Sequence, residues 1–169
     1  FDDVLICKNE HISTIQEKAC DLEKEVHIKM AFYADIVDVP KQLYLVCETP
    51  EIFKITINGK PLSAPFDGYI YDKSFCKADI AGQVIKGKNE IILEVLFSQS
   101  QKVYENIKKT KIFESEKNKF TYDMEIESIY LVGDFGVQTD GIFNDLEKNA
   151  TRYTGDFKIT KMPEKISLW

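Results

Sequence analysis

Regular alternation of apolar and polar side chains around an Asn58-Gly59 pair constrains this chain more than any other feature of its sequence. Successive side chains of a β-strand point to opposite faces, so such alternation is typical of a strand with one buried face. The alternating apolar side chains before the pair are Leu43, Leu45, Cys47, Phe53, Ile55 and Ile57. Asn-Gly readily adopts the positive φ angles of a tight turn, which predicts a hairpin here.

Two longer alternating segments lie on either side of this hairpin in the sequence. Residues 26–37 place apolar side chains on one face and polar side chains on the other, and residues 90–97 follow a Gly87 turn with the same period. Further strands are indicated at 124–132 and 152–160, which gives seven or eight strands. The sequence therefore predicts an all-β fold, an antiparallel β-sandwich of the jelly-roll kind with short helical insertions.

Two segments do not follow this pattern. Residues 1–24 lack a clear period, and we expect either an irregular lead-in or a short helix from Thr14 to Glu23 capped by Ser13. Residues 98–119 are polar and rich in Lys, which predicts a helical and loop insertion. Because the chain begins with Phe1 rather than Met, we expect residues 1–169 to be one domain excised from a larger multidomain protein.

The composition argues against several classes of partner. The formal net charge is −6 and Arg152 is the only arginine, whereas nucleic-acid binders usually carry an Arg-rich basic patch. No apolar run approaches the length needed to span a bilayer. The four cysteines are far apart and form no C-x-x-C pair, so we expect free thiols rather than a zinc site or a disulfide framework. Nucleic acid and membrane are therefore excluded as predicted partners, and the cellular compartment stays open.

The order of several short motifs resembles the sugar-binding-type, jelly-roll domain of family 2 and rhamnosidase-like glycoside hydrolases, which has the galactose-binding-domain-like fold. Three elements carry the resemblance: the hairpin Asn58-Gly59-Lys60, then Gly68-Tyr69 followed by Asp79, then the turn Gly87-Lys88-Asn89. The segment from Glu125 to Val137 is also similar to one in large bacterial proteins of this group. The resemblance covers residues 26–137.

The resemblance implies a non-catalytic accessory domain of a multidomain bacterial glycoside hydrolase, either carbohydrate-binding or structural. Its partners would be a carbohydrate or the catalytic domain of the same polypeptide, because the family keeps its catalytic carboxylates on that other domain. We therefore expect no catalytic residue in this chain. The alternative is a freestanding carbohydrate-binding, lectin-like adhesion module, and the sequence does not give the sugar.

Candidate carbohydrate-binding side chains lie near the two turns. A pyranose ring is bound by flat aromatic faces together with a few planar polar groups. The residues that could supply this set are Asn58, Phe66, Asp67, Tyr69 and Tyr71. The competing interpretation is that the aromatic residues plug the sandwich or contact a partner domain, and buried aromatics favour it. No cofactor is expected, although a structural calcium is possible at loop carboxylates, for which the candidates are Asp67, Asp72, Asp134 and Asp140.

The alternation also predicts which side chains share one core. The predicted core set is Ile28, Met30, Phe32, Leu45, Phe53, Ile55, Ile57, Leu93, Val95 and Val132.

Overall fold

The computed structural model describes residues 4–8, 10–112, 115, 121–146 and 150–162, and this part of the chain is mostly β with two α-helices. The helices are α1 (Ile12–Asp21) and α2 (Gln101–Ile112), and a short 3-10 helix spans Pro50–Ile52. The strands are β1 (Val4–Lys8), β2 (Val26–Ile36), β3 (Leu43–Cys47), β4 (Lys54–Ile57), β5 (Lys60–Pro61), β6 (Tyr69–Ile70), β7 (Asp72–Asp79), β8 (Gly87–Phe97), β9 (Tyr130–Gly133), β10 (Gly136–Thr139), β11 (Ile142–Leu146), β12 (Ala150–Thr154) and β13 (Phe157–Thr160).

A seven-stranded sheet is built around the long antiparallel pair β2–β8, which runs from Val26 opposite Phe97 to Ile36 opposite Gly87. Its order is β10-β13-β2-β8-β4-β5, and β1 also pairs with β2. Because β8 covers one edge of β2 along its whole length, β1 and β13 share the other edge. Strand β1 pairs with the first half of β2 and β13 with its last residues.

Among the described strands, the pairs β1–β2 and β13–β2 are parallel and the other eight pairs are antiparallel. The predicted antiparallel pairing therefore holds for most of the fold and is wrong for these two pairs. A parallel pair needs a long crossover connection, usually a helix, and α1 supplies it between β1 and β2. Residues 1–24 were predicted to hold either an irregular lead-in or a short helix at 14–23. The structure has a helix there, two residues earlier at Ile12–Asp21, and also the strand Val4–Lys8. The cap differs as well: His11 occupies the N-cap position, and Ser13 lies inside the helix with its hydroxyl 2.8 Å from His11 Nδ1.

A second, four-stranded sheet has the order β6-β7-β3-β9, and β11 and β12 form a separate hairpin. Buried side chains from both larger sheets and from α1 join in one apolar core. Its most completely buried large members are Ile15, Ile28, Met30, Ile36, Leu43, Leu45, Ile57, Ile80, Leu93 and Phe97. Two sheets that share one core are compatible with the predicted β-sandwich.

The predicted insertion contains α2, which lies beside the end of α1. Val103 and Tyr104 are its buried side chains, and the Tyr104 hydroxyl donates a hydrogen bond to the Lys24 carbonyl at 3.2 Å. Ion pairs join Lys108 to Glu23 and Lys111 to Asp21. The helix expected within residues 98–119 is thus confirmed at Gln101–Ile112; most of residues 113–119 lie outside the described residues.

Nine of the ten predicted core residues are in the core cluster or packed against it, with Phe32 and Phe53 partly buried. Val132 is the exception. In the β3–β9 register Val132 lies opposite Tyr44, so both point to the outer face of the four-stranded sheet, whereas Leu131 points inward and packs against the core. The predicted phase of this strand was therefore wrong by one residue, and such a shift exchanges the inward and outward faces.

The predicted Asn-Gly turn is confirmed, because Asn58 has φ 51° and Gly59 has φ 76° between β4 and β5. Gly133 is required for a different reason. A Cβ atom there would lie 2.1 Å from the backbone oxygen of Gln42, so only glycine lets the end of β9 approach β3 this closely.

Candidate functional site

The side chain of Asn58 is fully engaged within the fold. Its Nδ2 donates to Asn89 Oδ1 at 2.9 Å and to the Gln83 carbonyl at 3.1 Å, and its Oδ1 accepts from the Glu90 backbone N–H at 3.0 Å. These bonds tie the β4–β5 turn to the turn that precedes β8. The Asn58 side chain therefore links two turns, and its amide group has little remaining capacity to hydrogen-bond a sugar.

The other predicted site residues are dispersed around β6. Phe66 is partly buried and packs against the core, in line with the interpretation of this aromatic as a plug. Asp67 is exposed, and its backbone N–H donates to the Lys77 carbonyl at 2.9 Å. Tyr69 is half exposed, whereas Tyr71 is 99% exposed and has the positive φ of 62° that favours glycine. Their assignment to carbohydrate binding stays a prediction.

A cleft lies where β2, β8 and β13 of the seven-stranded sheet meet. Its volume is about 610 Å³. The lining residues are Tyr33, Ala34, Asp35, Lys88, Gly155, Asp156 and Phe157. Tyr33 and Phe157 keep 45% and 59% of their surface exposed, so two aromatic side chains border the cleft.

The strand register explains why these residues meet. Tyr33 and Asp35 occupy alternate positions of β2 and therefore share its outer face, with Glu90 and Lys88 directly opposite on β8. Strand β13 pairs Lys158 with Asp35, so Lys158 shares this outer face, whereas Phe157, one position earlier, has the opposite phase and borders the cleft where β13 begins. No motif in the sequence links positions 33, 88 and 157, and sequence reasoning missed this cleft.

The chemistry of the cleft is mixed. Partial removal from water, and then the neighbouring Glu90 carboxylate, raise the pKa of the Tyr33 hydroxyl. The lining residues carry two carboxylates, Asp35 and Asp156, and one ammonium group, Lys88. Such a cleft offers aromatic surface, hydrogen-bond acceptors and donors within one space.

A second depression lies on the outer face of the four-stranded sheet and is almost purely apolar. We call it the apolar groove; its volume is about 290 Å³, and it is lined by Val46, Ile70, Tyr71, Phe75, Tyr130, Leu131 and Val132. The rings of Phe75 and Tyr130 meet edge to face with their centroids 6.1 Å apart. Lys77 Nζ lies 4.9 Å above the Tyr44 ring on the same face. Of the predicted site residues, only Tyr71 lines this groove.

The candidate calcium ligands do not converge. Asp72 Oδ1 accepts hydrogen bonds from the Ser74 N–H and hydroxyl, both at 2.9 Å, and Asp140 pairs with Lys158 at 3.1 Å. These partners lower the pKa of both carboxyl groups. Within the described ranges, no group of three or more His, Cys, Asp or Glu side chains is placed to hold a metal ion.

Neither described helix combines the length and apolar composition needed to cross a membrane.

Comparisons of the chain with protein-family models, with curated proteins and with solved structures found no match.

Proposed function

We propose that this chain is a non-catalytic carbohydrate-binding module with a jelly-roll, galactose-binding-domain-like fold, carried by a multidomain glycoside hydrolase. The observation that supports this function best is the cleft between Tyr33 and Phe157. Aromatic rings there offer faces for the C–H surface of a pyranose, and Asp35, Asp156 and Lys88 offer partners for its hydroxyl groups.

The charges favour a neutral sugar over an acidic one. Two carboxylates face one ammonium group in the cleft, Glu90 lies beside Tyr33, and the whole chain has a net charge of −6. A uronic acid or sulfated sugar would bring like charge to this surface and bind more weakly. Neutral hexoses and their oligomers are therefore the proposed ligand class.

Tyr33→Ala and Phe157→Ala are each expected to weaken sugar binding roughly five- to tenfold, because loss of one aromatic face removes about 1 kcal/mol of contact. Calorimetric titration with neutral and acidic oligosaccharides measures this effect. Tyr69→Ala is the matched control, since Tyr69 has similar exposure but lies outside the cleft. If Tyr69→Ala abolished sugar binding and Tyr33→Ala left it unchanged, the sugar site would lie near the turns and not in the cleft.

The proposal that the chain is non-catalytic can be tested at the same cleft. Asp35 and Asp156 both line it, and glycosidases also use two carboxyl groups across a cleft. We expect the isolated chain to release no product from aryl glycosides, before or after Asp35→Asn. Turnover by the purified chain that Asp35→Asn removes would make this protein a hydrolase in its own right.

The apolar groove favours an additional role as a structural brace against the catalytic domain of the same polypeptide. Its lining carries almost no polar atoms, which suits a protein surface better than a sugar. A freestanding adhesion module would have no covering domain for this groove. The two forms of the proposal therefore differ in whether the groove is covered in the full protein.

We expect the isolated chain to bind the apolar dye ANS at this groove. Tyr130→Lys should remove most of the fluorescence enhancement, because it places a charge among apolar side chains. Tyr33→Lys is the control, since Tyr33 has similar exposure and lies on the other sheet. Equal fluorescence in both variants would show that the groove is not an open apolar site.

A further inference from the structure

We propose that Cys47 and Cys76 are an oxidisable pair, which closes to an intramolecular disulfide by exchange with a disulfide oxidant such as oxidised glutathione. This inference is independent of sugar binding.

The strand register places the two cysteines side by side. Cys47 on β3 and Cys76 on β7 are direct antiparallel partners, so their side chains leave the sheet on the same face. Both thiols are free. The remaining two cysteines have no such partner: Cys7 faces Met30 across β1–β2, and Cys20 lies on α1.

The distance between the Cα atoms of Cys47 and Cys76 depends on whether they form a hydrogen-bonded or a non-hydrogen-bonded pair. Ile80 N–H donates to the Leu43 carbonyl at 2.8 Å, so residues 43 and 80 form a hydrogen-bonded pair. Hydrogen-bonded pairs alternate along an antiparallel ladder, which makes residues 47 and 76 another one, with Cα atoms about 5.5 Å apart. Disulfides span Cα separations of roughly 4.4–6.8 Å, so the backbone already has the required spacing.

The two thiols differ in access. Cys47 is 1% exposed, and its Sγ donates to the Glu48 carbonyl at 3.1 Å, whereas Cys76 is partly exposed. The pKa of the Cys47 thiol is raised to about 12, chiefly by burial and further by the adjacent Cys76 and Glu51. Because the thiolate is the nucleophile, Cys76 is the residue that meets the oxidant first.

The exchange is balanced without any other reactant. The Cys76 thiolate attacks one sulfur of oxidised glutathione, which forms a mixed disulfide and releases one reduced glutathione. Cys47 then loses its proton and attacks Cys76 Sγ, which forms the protein disulfide and releases the second glutathione. Two protein thiols are oxidised by two electrons, one glutathione disulfide is reduced to two thiols, and the two thiol protons end on them.

The product should be easy to reduce. Cβ atoms of hydrogen-bonded pairs lie toward the long end of cross-strand spacings, beyond the separation that disulfides prefer. The bond would therefore draw β3 and β7 together under strain, and strained disulfides have higher, more oxidising reduction potentials. Val46 and Phe75 precede the two cysteines in the sequence and line the apolar groove, so movement of β3 toward β7 would shift part of the groove lining.

The test is incubation of the folded chain with oxidised glutathione, followed by intact-mass measurement and peptide mapping without reduction. We expect a monomer that has lost two hydrogens, a cross-linked peptide containing Cys47 and Cys76, and reversal by dithiothreitol. Cys47→Ala should stop the reaction at a glutathione adduct on Cys76. Cys76→Ala should leave Cys47 unmodified, because that thiol is buried.

A Cys7→Ala, Cys20→Ala double variant controls for the other thiols and should cross-link as the wild type does. If this variant unfolds, mapping of the folded wild-type protein still decides the question. A cross-link through Cys7 or Cys20, intermolecular dimers only, or a stable glutathione adduct with no internal disulfide would overturn the proposal.

Discussion

Leu45→Ala is expected to lower the free energy of unfolding by roughly 2–5 kcal/mol, the range for removing a fully buried Leu. Leu45 is 0% exposed, and its strand β3 lies between β7 and β9 in the four-stranded sheet. Its side chain belongs to the core cluster that both sheets share. Truncation would therefore leave a cavity where the sheets meet, and the strands around it relax only partly.

Urea denaturation monitored by fluorescence measures this loss. Leu96→Ala is the matched control, because Leu96 is 43% exposed on β8 and should change the unfolding free energy by less than about 1 kcal/mol. Ile55→Ala, at 6% exposure on β4, should fall in the same range as Leu45→Ala. A Leu45→Ala midpoint equal to that of Leu96→Ala would show that β3 does not face the core.

The central strands could be predicted because their period is local information. Alternation through 26–36 and 91–97 gave both β2 and β8 with their buried faces, and the Asn58-Gly59 turn placed the hairpin correctly. A strand with one buried face imposes this pattern on its own sequence, whatever its neighbours are. Prediction was therefore accurate where burial alternates strictly.

Strand β1 was not predicted, whereas a helix was one of the two expectations for residues 14–23 and is found at Ile12–Asp21. Strand β1 is only five residues long, and His11, the N-cap residue of α1, makes no side-chain cap hydrogen bond. Residues 4–8 have no strong period, and the capping signal at Ser13 placed the start of the helix two residues too late. The parallel pairing with β2 is a long-range contact that depends on where the core has space, which a window of sequence does not contain.

The prediction of which side chains of β9 face the core was wrong for a related reason. Residues 130–132 form an edge strand with partly exposed side chains on both faces, and the groove on its outer face is itself apolar. Apolar residues on both faces remove the alternation that fixes the phase. A run of apolar residues without alternation, as at 129–132, was the available sign that both faces of this strand carry apolar surface.

The cleft could not be predicted from sequence because it is assembled from three strands. Tyr33, Lys88 and Phe157 come together only through the β8–β2–β13 order. The residues predicted to bind a sugar, by contrast, lie close together in the sequence, between positions 58 and 71. Asn58 turned out to be engaged in hydrogen bonds within the fold, a constraint that only the position of Asn89 reveals.

The buried amide of Asn89 is expected to be among the most sensitive polar positions in the described structure. Asn89 is 1% exposed, and its Oδ1 accepts from the Ile85 N–H at 2.8 Å and from Asn58 Nδ2 at 2.9 Å. Its Nδ2 donates to the carbonyls of Ile85 and Gly87 at 2.7 and 2.9 Å. One side chain therefore fixes the turn before β8 and couples it to the hairpin at Asn58.

Asn89→Ala should lower the free energy of unfolding by roughly 2–3 kcal/mol, because orphaned buried groups cost about 1–3 kcal/mol each and Ile85 lies near water. Asn89→Asp is the isosteric control. It keeps the acceptor but sets a carboxylate against the two carbonyl oxygens, which raises the pKa of that new carboxyl group in the folded state. A raised folded pKa makes the variant most stable at low pH, so its deficit relative to wild type should widen as pH rises above about 4. Denaturation of both variants at acidic and neutral pH measures this, and a deficit in Asn89→Asp that does not change with pH would show that the amide donors do not hold the turn.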